Sequence, residues 1–165
     1  MDDASPAREP LALDFSFVAE TTLPEPVDHA RLEDLAAFVL RDEGAGGAWE
    51  ITVALVDDAR LQALHHQFMG IDSPTDIMTF PLVEGTGTPR GGDLVISVDH
   101  ARARAAEFGF SPVEEIRFLT VHGLLHLLGW RDETAEQRRR MLARQQALID
   151  AWSQGGKQPG EPTRL

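Results

Sequence analysis

Cysteine is absent from the 165 residues, which excludes a disulfide framework, thiolate catalysis and cysteine-ligated zinc or iron–sulfur sites. Imidazole and carboxylate are the ligands left for a tightly held transition metal, and six histidines are available. Long apolar runs are also missing: none approaches the roughly 18 residues that a membrane span needs. The opening MDDASPAREP is acidic and lacks the basic and then apolar regions of a signal peptide, so a cytoplasmic protein outside any membrane is expected. Positive charge is scarce, with 15 Lys and Arg against 27 Asp and Glu and a net charge of −12. That balance opposes nonspecific attraction to nucleic acid, so a polyanion would have to be met by a local patch or by a bound cation. The chain has no internal repeat and no long low-complexity segment.

What is present suits one globular domain, long enough to bury a core without disulfide or metal staples. The domain is expected over residues 11–153. Residues 1–10 and 154–165, rich in Gly, Pro and polar residues, are expected as disordered tails. LALDFSFV (11–18) and WEITVALVDD (49–58) read as strands, each followed by a segment of helical spacing, DHARLEDLAAFVLRDEG (28–44) and ARLQALHHQFMG (59–70). DIMTFPLV (76–83) and GDLVISV (92–98) read as strands joined by a mobile Gly-rich loop, EGTGTPRG (84–91). Three helices follow, over 99–109, 111–130 and 134–152. The middle one opens with Ser111 as cap, Pro112 in the first turn and Glu114. Strands early and helices late predict an α+β domain, a mixed sheet of about four strands with helices packed on it and an apolar helix at the centre.

That central helix carries TVHGLLHLLGWRDE, residues 120–133. His122 and His126 are four apart, so both imidazoles leave one helical face and can converge on one ion. A lone pair at this spacing is more often packing or surface. Gly129 follows, where a helix ends in the left-handed conformation, and a chain reversal there returns Asp132 towards the pair. His, His and Asp would leave a position on zinc open for water, as catalytic sites do. Zinc peptidases place a glutamate base directly after the first histidine. Here that position is Gly123, so the peptidase reading loses its base. Asp76 and Glu133 are candidate substitutes, although acids in such places are more often turn or surface residues.

These residues resemble the YbeY family of bacterial endoribonucleases and ribosomal RNA maturation factors. Two blocks carry the resemblance over about residues 13–152: DSPTDIMTFPL (72–82) with GDLVIS (92–97), and TVHGLLHLLGW (120–130). It implies a zincin-like α+β fold, one zinc ion, and cleavage of single-stranded RNA in maturation and quality control of the small ribosomal subunit. His122 and His126 match the first two zinc ligands of the family. The third is usually histidine, and this chain has Asp132, an oxygen donor that also binds zinc. The resemblance places Thr75, Asp76 and Thr79 near the cleft. Met69 stands where the family has an arginine, and methionine cannot donate a bidentate hydrogen bond to phosphate. His65, Arg90 and Arg131 are candidates to compensate, each more often a plain surface residue. The catalytic candidates are therefore Asp76, His65 and Glu133, and the metal ligands His122, His126 and Asp132.

Arg138, Arg139, Arg140 and Arg144 offer a basic approach surface, though such a row is usually a solvated face. Trp130 beside the site can stack on a base, whereas Trp49 and Trp152 read as packing residues. His100 reads as a cap or surface residue, and His29 and His66 have no partner in sequence. A second reading is a ribosome-assembly factor with a structural metal and weak or no nuclease activity, binding a basic ribosomal or assembly protein through its acidic surface.

Overall fold

A computed structural model describes residues 9–70, 75–83, 87 and 89–155. The expected tails fall largely, and the segment 72–74 of the first family block wholly, outside the described residues, as do residues 84–86 and 88 of the linker 84–91, whose Gly91 already belongs to a strand. Gln154 and Gly155, expected in a tail, continue the last helix.

The order is β1 (Leu11–Ala19), α1 (His29–Asp42), β2 (Gly47–Val56), α2 (Asp58–Met69), β3 (Ile77–Pro81), β4 (Gly91–Ser97), α3 (Val98–Phe108), α4 (Pro112–Leu127) and α5 (Ala135–Gly155). The four strands form one mixed sheet in the order β1-β2-β4-β3, with β3 antiparallel to β4 and the other pairs parallel. The α+β class and the four strands agree with the sequence reading. Several boundaries move by one or two residues for identifiable reasons. Asp57, read as strand, caps α2 by accepting from the Arg60 amide at 2.8 Å. Ser97 caps α3, so that helix starts at Val98.

Alternation along the inner strands divides the core. Trp49, Ile51, Val53 and Leu55 of β2 and Leu94 and Ile96 of β4 join one large cluster with α1, α4 and α5. Val56 and Val95 point the other way and meet Leu61 of α2 and Met78 of β3. Among the described residues, α2 is the helix that contributes to this smaller cluster, and Leu61 is its one buried residue. A polar clasp adds to its attachment. The Asp58 carboxylate accepts from the Ser97 hydroxyl and pairs with His100 Nδ1 at 2.6 Å, while Asp99 accepts from the Asp58 amide at 2.8 Å. Burial pushes the Asp58 carboxyl up, but the hydrogen bonds from Ser97 and His100 and the His100 charge outweigh it, leaving the pKa below the ordinary 3.8. His100 is therefore a clasp residue, and Ser97 is the cap.

Helix α4 lies at the centre, packed against α1, α3, α5, β3 and β4. Its start is held by a capping box between Ser111 and Glu114, with Pro112 in the first turn. Ten of its sixteen residues are buried, so the helix is hidden on most sides, while His122 and His126 stay half-buried. Gly123 sits where α4 crosses the sheet: a Cβ there would meet Leu94 Cδ2 at 2.7 Å and Ile77 Cδ1 at 3.0 Å.

Gly123→Ala should lower stability despite the better helix propensity of alanine. The propensity gain is at most about 1 kcal/mol, while overpacking a filled core costs about 1–3 kcal/mol. Chemical denaturation should show a net loss; a gain in stability would mean that Leu94 and Ile77 give way freely.

Candidate functional site

The last turn of α4 determines what the histidines can do. Leu128 ends the helix, and Gly129 follows with φ 98°. The Gly129 amide donates to the His126 carbonyl at 3.0 Å and the Trp130 amide to the Leu125 carbonyl at 2.9 Å, the paired bonds of a Schellman turn. The chain reverses, and Asp132 returns to the histidine face.

The result is a triangle of donor atoms. His122 Nε2 and His126 Nε2 are 3.0 Å apart, and Asp132 Oδ2 lies 3.4 and 3.3 Å from them. Zinc–nitrogen and zinc–oxygen bonds of 2.0–2.1 Å at tetrahedral angles place two donors about 3.3 Å apart. The triangle therefore fits one small cation with a side left open. Three lone-pair-bearing atoms this close also repel one another unless a cation or a proton lies between them. The three residues are half-buried and form a group able to hold a metal ion.

Two further groups fix the imidazoles. His126 Nδ1 is 3.0 Å from the Trp130 carbonyl, which can only accept, so Nδ1 carries the proton and Nε2 faces the triangle. His122 Nδ1 is 2.9 Å from Gln145 Oε1. The Gln145 amide is 2% exposed and its nitrogen donates to the Phe118 carbonyl at 3.4 Å, which turns its oxygen towards His122. The reversing loop is tied from outside as well. Trp130 Nε1 donates to Glu43 Oε1 at 2.7 Å, Arg144 Nε donates to Glu43 Oε2 at 2.8 Å, and Arg144 also pairs with Asp42. The end of α1 and the middle of α5 thus hold the loop that delivers Asp132.

The triangle lies at the junction of two hollows that share Asp76, His122 and Asp132. One, of about 330 Å³, runs towards α2 and β3 and is lined by His65, Met69, Thr75, Asp76 and Thr79 among others. The other, of about 230 Å³, runs between α3, α4 and α5 past Arg104, Phe118, Arg138 and Leu142.

Of the catalytic candidates, Asp76 and His65 are brought to the site and Glu133 is not. Glu133 lines neither hollow; its side chain is 65% exposed and takes a two-pronged bond from Arg131 at 2.7 and 2.8 Å. That local pair also occupies Arg131, and Arg90 lines neither hollow. Met69 is 61% exposed at the lip. Trp130 is turned towards Glu43 and packs against the core, so its structural contacts account for its position. Arg144 belongs to the loop tie. The missing side chain of Gly123 points at Leu94 and Ile77, so a peptidase-type glutamate has no room there. Sequence reasoning does not find Gln145 or Glu43. Gln145 left one signal, a polar residue in the apolar spacing Met141, Leu148, Trp152; Glu43 left none.

A family model described as Endoribonuclease YbeY matches residues 18–153. A protein of Bacillus licheniformis named Endoribonuclease YbeY is 37% identical over 74% of this chain and 84% of its own length. One of Geobacillus thermodenitrificans with the same name is 34% identical, covering 84% and 96%. The solution structure of TM1509 from Thermotoga maritima has the same fold, with a TM-score of 0.53 and 23% identity over 90% of this chain and all of that one.

Gln145→Leu, close in size and leaving the triangle intact, removes the partner of His122 Nδ1. Zinc affinity measured by competition with a chelator should fall about 10- to 100-fold. Unchanged affinity would show that the Gln145 bond does not orient the ligand.

Proposed function

The chain belongs to the YbeY endoribonuclease family, and from that premise we propose that it is a zinc-dependent endoribonuclease of single-stranded RNA. Its setting is maturation of ribosomal RNA and quality control of the small ribosomal subunit, in the cytoplasm. The observation that carries the metal-dependent part of this reading is the donor triangle of His122, His126 and Asp132, whose edges of 3.0, 3.3 and 3.4 Å suit one small cation.

When bound, zinc supplies a Lewis acid for a phosphate oxygen and brings water closer to ionisation at neutral pH. The protein's own groups do the rest. Gln145 and the Trp130 carbonyl hold both imidazoles in the tautomer that exposes Nε2. Asp76, which lines both hollows, accepts the proton of the attacking hydroxyl. His65, across the first hollow, gives a proton to the departing sugar oxygen. The attacking hydroxyl is that of water or of the ribose 2′ position; Asp76 takes its proton in either case.

A second reading is favoured by one feature. Met69, 61% exposed, gives the cleft an apolar lip where the family resemblance places a cation. A ribosome-assembly factor that docks a basic protein on its acidic surface would need no arginine there.

Zinc-loaded protein should cut single-stranded but not duplex RNA, and chelation should abolish the cleavage. Asp132→Ala should lose both metal and activity, whereas Asp76→Asn should keep the metal and lower kcat by about 10²- to 10⁴-fold. Cleavage that survives chelation would remove zinc from the mechanism. No cleavage by the fully loaded protein would favour the assembly factor.

A further inference from the structure

The two hollows differ in charge. Apart from the ligand histidines His122 and His126, the first has His65 as its basic residue, with no arginine or lysine among the described residues that line it. The second is lined by Arg104 of α3 and Arg138 of α5, above an apolar floor of Phe118, Leu119, Met141 and Leu142. It opens onto the same Asp76, His122 and Asp132. A polyanion lying across the triangle therefore meets its cations on the α3–α5 side, opposite the lip where Met69 stands.

We propose that this second hollow is a nucleotide subsite: Arg104 and Arg138 bind the phosphate next to the scissile one, and the apolar floor receives the base attached to it. The inference rests on the ribonuclease reading and names which part of the cleft grips the strand. Both arginines are exposed and can reach a ligand. The Arg104 guanidinium lies 4.9 Å over the ring of Phe108, itself 51% exposed, an arrangement that steadies a cation without neutralising it. Among the described residues, Arg138 uses only Nη1, in two long bonds to the Asp132 and Glu133 carbonyls at 3.3 and 3.4 Å. Its remaining N–H groups suit phosphate oxygens, to which guanidinium donates in pairs. Those same bonds join the phosphate grip to the loop that carries Asp132.

The carboxylates in this hollow limit where the strand can lie. Asp76, Glu115 and Asp132 line it beside the two arginines. Glu115 is 2% exposed, low in the hollow, and Asp132 faces the triangle. A phosphate is therefore favoured at the rim, at the guanidinium groups, while the neutral base goes inward. Leu142, 47% exposed, continues the apolar floor to the surface.

The test is binding of a single-stranded 2′-O-methyl oligoribonucleotide to zinc-loaded protein, followed by fluorescence anisotropy across a range of salt. The variants are Arg104→Gln/Arg138→Gln and a control, Arg102→Gln/Arg139→Gln. The control makes the same charge change on the same two helices at exposed positions that line neither hollow. Zinc content and melting temperature check that each variant is folded and loaded. The subsite predicts about a ten-fold weaker affinity at low salt for the first variant. Its plot of log affinity against log salt should flatten by about 0.7 for each phosphate that the variant no longer neutralises, with the control close to wild type. Equal losses in both variants would reduce the effect to general surface charge and overturn the subsite, as would no loss in either. Both of those results leave the ribonuclease reading standing, since wild type binds in each. Failure of wild type to bind or cut any single-stranded RNA would overturn that reading, and the subsite with it.

Discussion

Helix α4 can hold two imidazoles at a fixed separation because five other elements hold the helix. With ten of its sixteen residues buried, neither rotation about its axis nor sliding along it is possible without disrupting its packing on the sheet and on α1, α3 and α5 together. A cation site demands placement to a few tenths of an ångström, and a surface helix anchored by one stripe would not supply it. Gly123 shows how close the approach is. The sheet comes near enough that even a methyl group would crowd Leu94. The residue that deprives the site of a peptidase base is thus the one that lets α4 settle on β3 and β4.

Burial alone gives two ligands; the third depends on how the helix stops. The Schellman turn at Gly129 sends the chain back across the histidine face, and Trp130 then acts at both ends of its structure. Its carbonyl fixes the His126 tautomer, and its indole reaches Glu43 at the end of α1. Any shift of the loop that carried Asp132 away would also disturb His126, because one residue links them. Such coupling keeps the triangle assembled although Asp132 itself is partly exposed.

Local signals in the sequence were sufficient for the parts of the site that are local. The i, i+4 histidines, the glycine that ends their helix and the aspartate after it lie within eleven residues, and backbone geometry relates them directly. The strands followed from alternation and the start of α4 from Ser111, Pro112 and Glu114. Gln145 lies 23 residues from His122 and Glu43 lies 87 from Trp130, so their contacts exist only after the sheet and helices have assembled. Glu133 lies away from the hollows for the opposite reason. It has a cation two residues away, and the Arg131 pair keeps it on the surface, a short-range competitor that proximity to the metal motif concealed. Asp57 and Ser97 moved helix starts because a cap is decided by one side-chain hydrogen bond, which apolar periodicity does not register.

A chain with net charge −12 that handles RNA must concentrate attraction where it is useful. A divalent ion does this well, since its charge is compact and Asp132 offsets only part of it. Yet an ion alone attracts any phosphate and imposes no direction on the strand. Direction requires a second, off-centre positive group, and the unequal linings of the two hollows provide one on the α3–α5 side. The net negative charge of the whole chain then keeps general attraction to a polyanion weak, so that local cations have the larger say. Scarcity of positive charge, which at first counts against a nucleic-acid enzyme, is thus compatible with one whose attraction is local to the cleft.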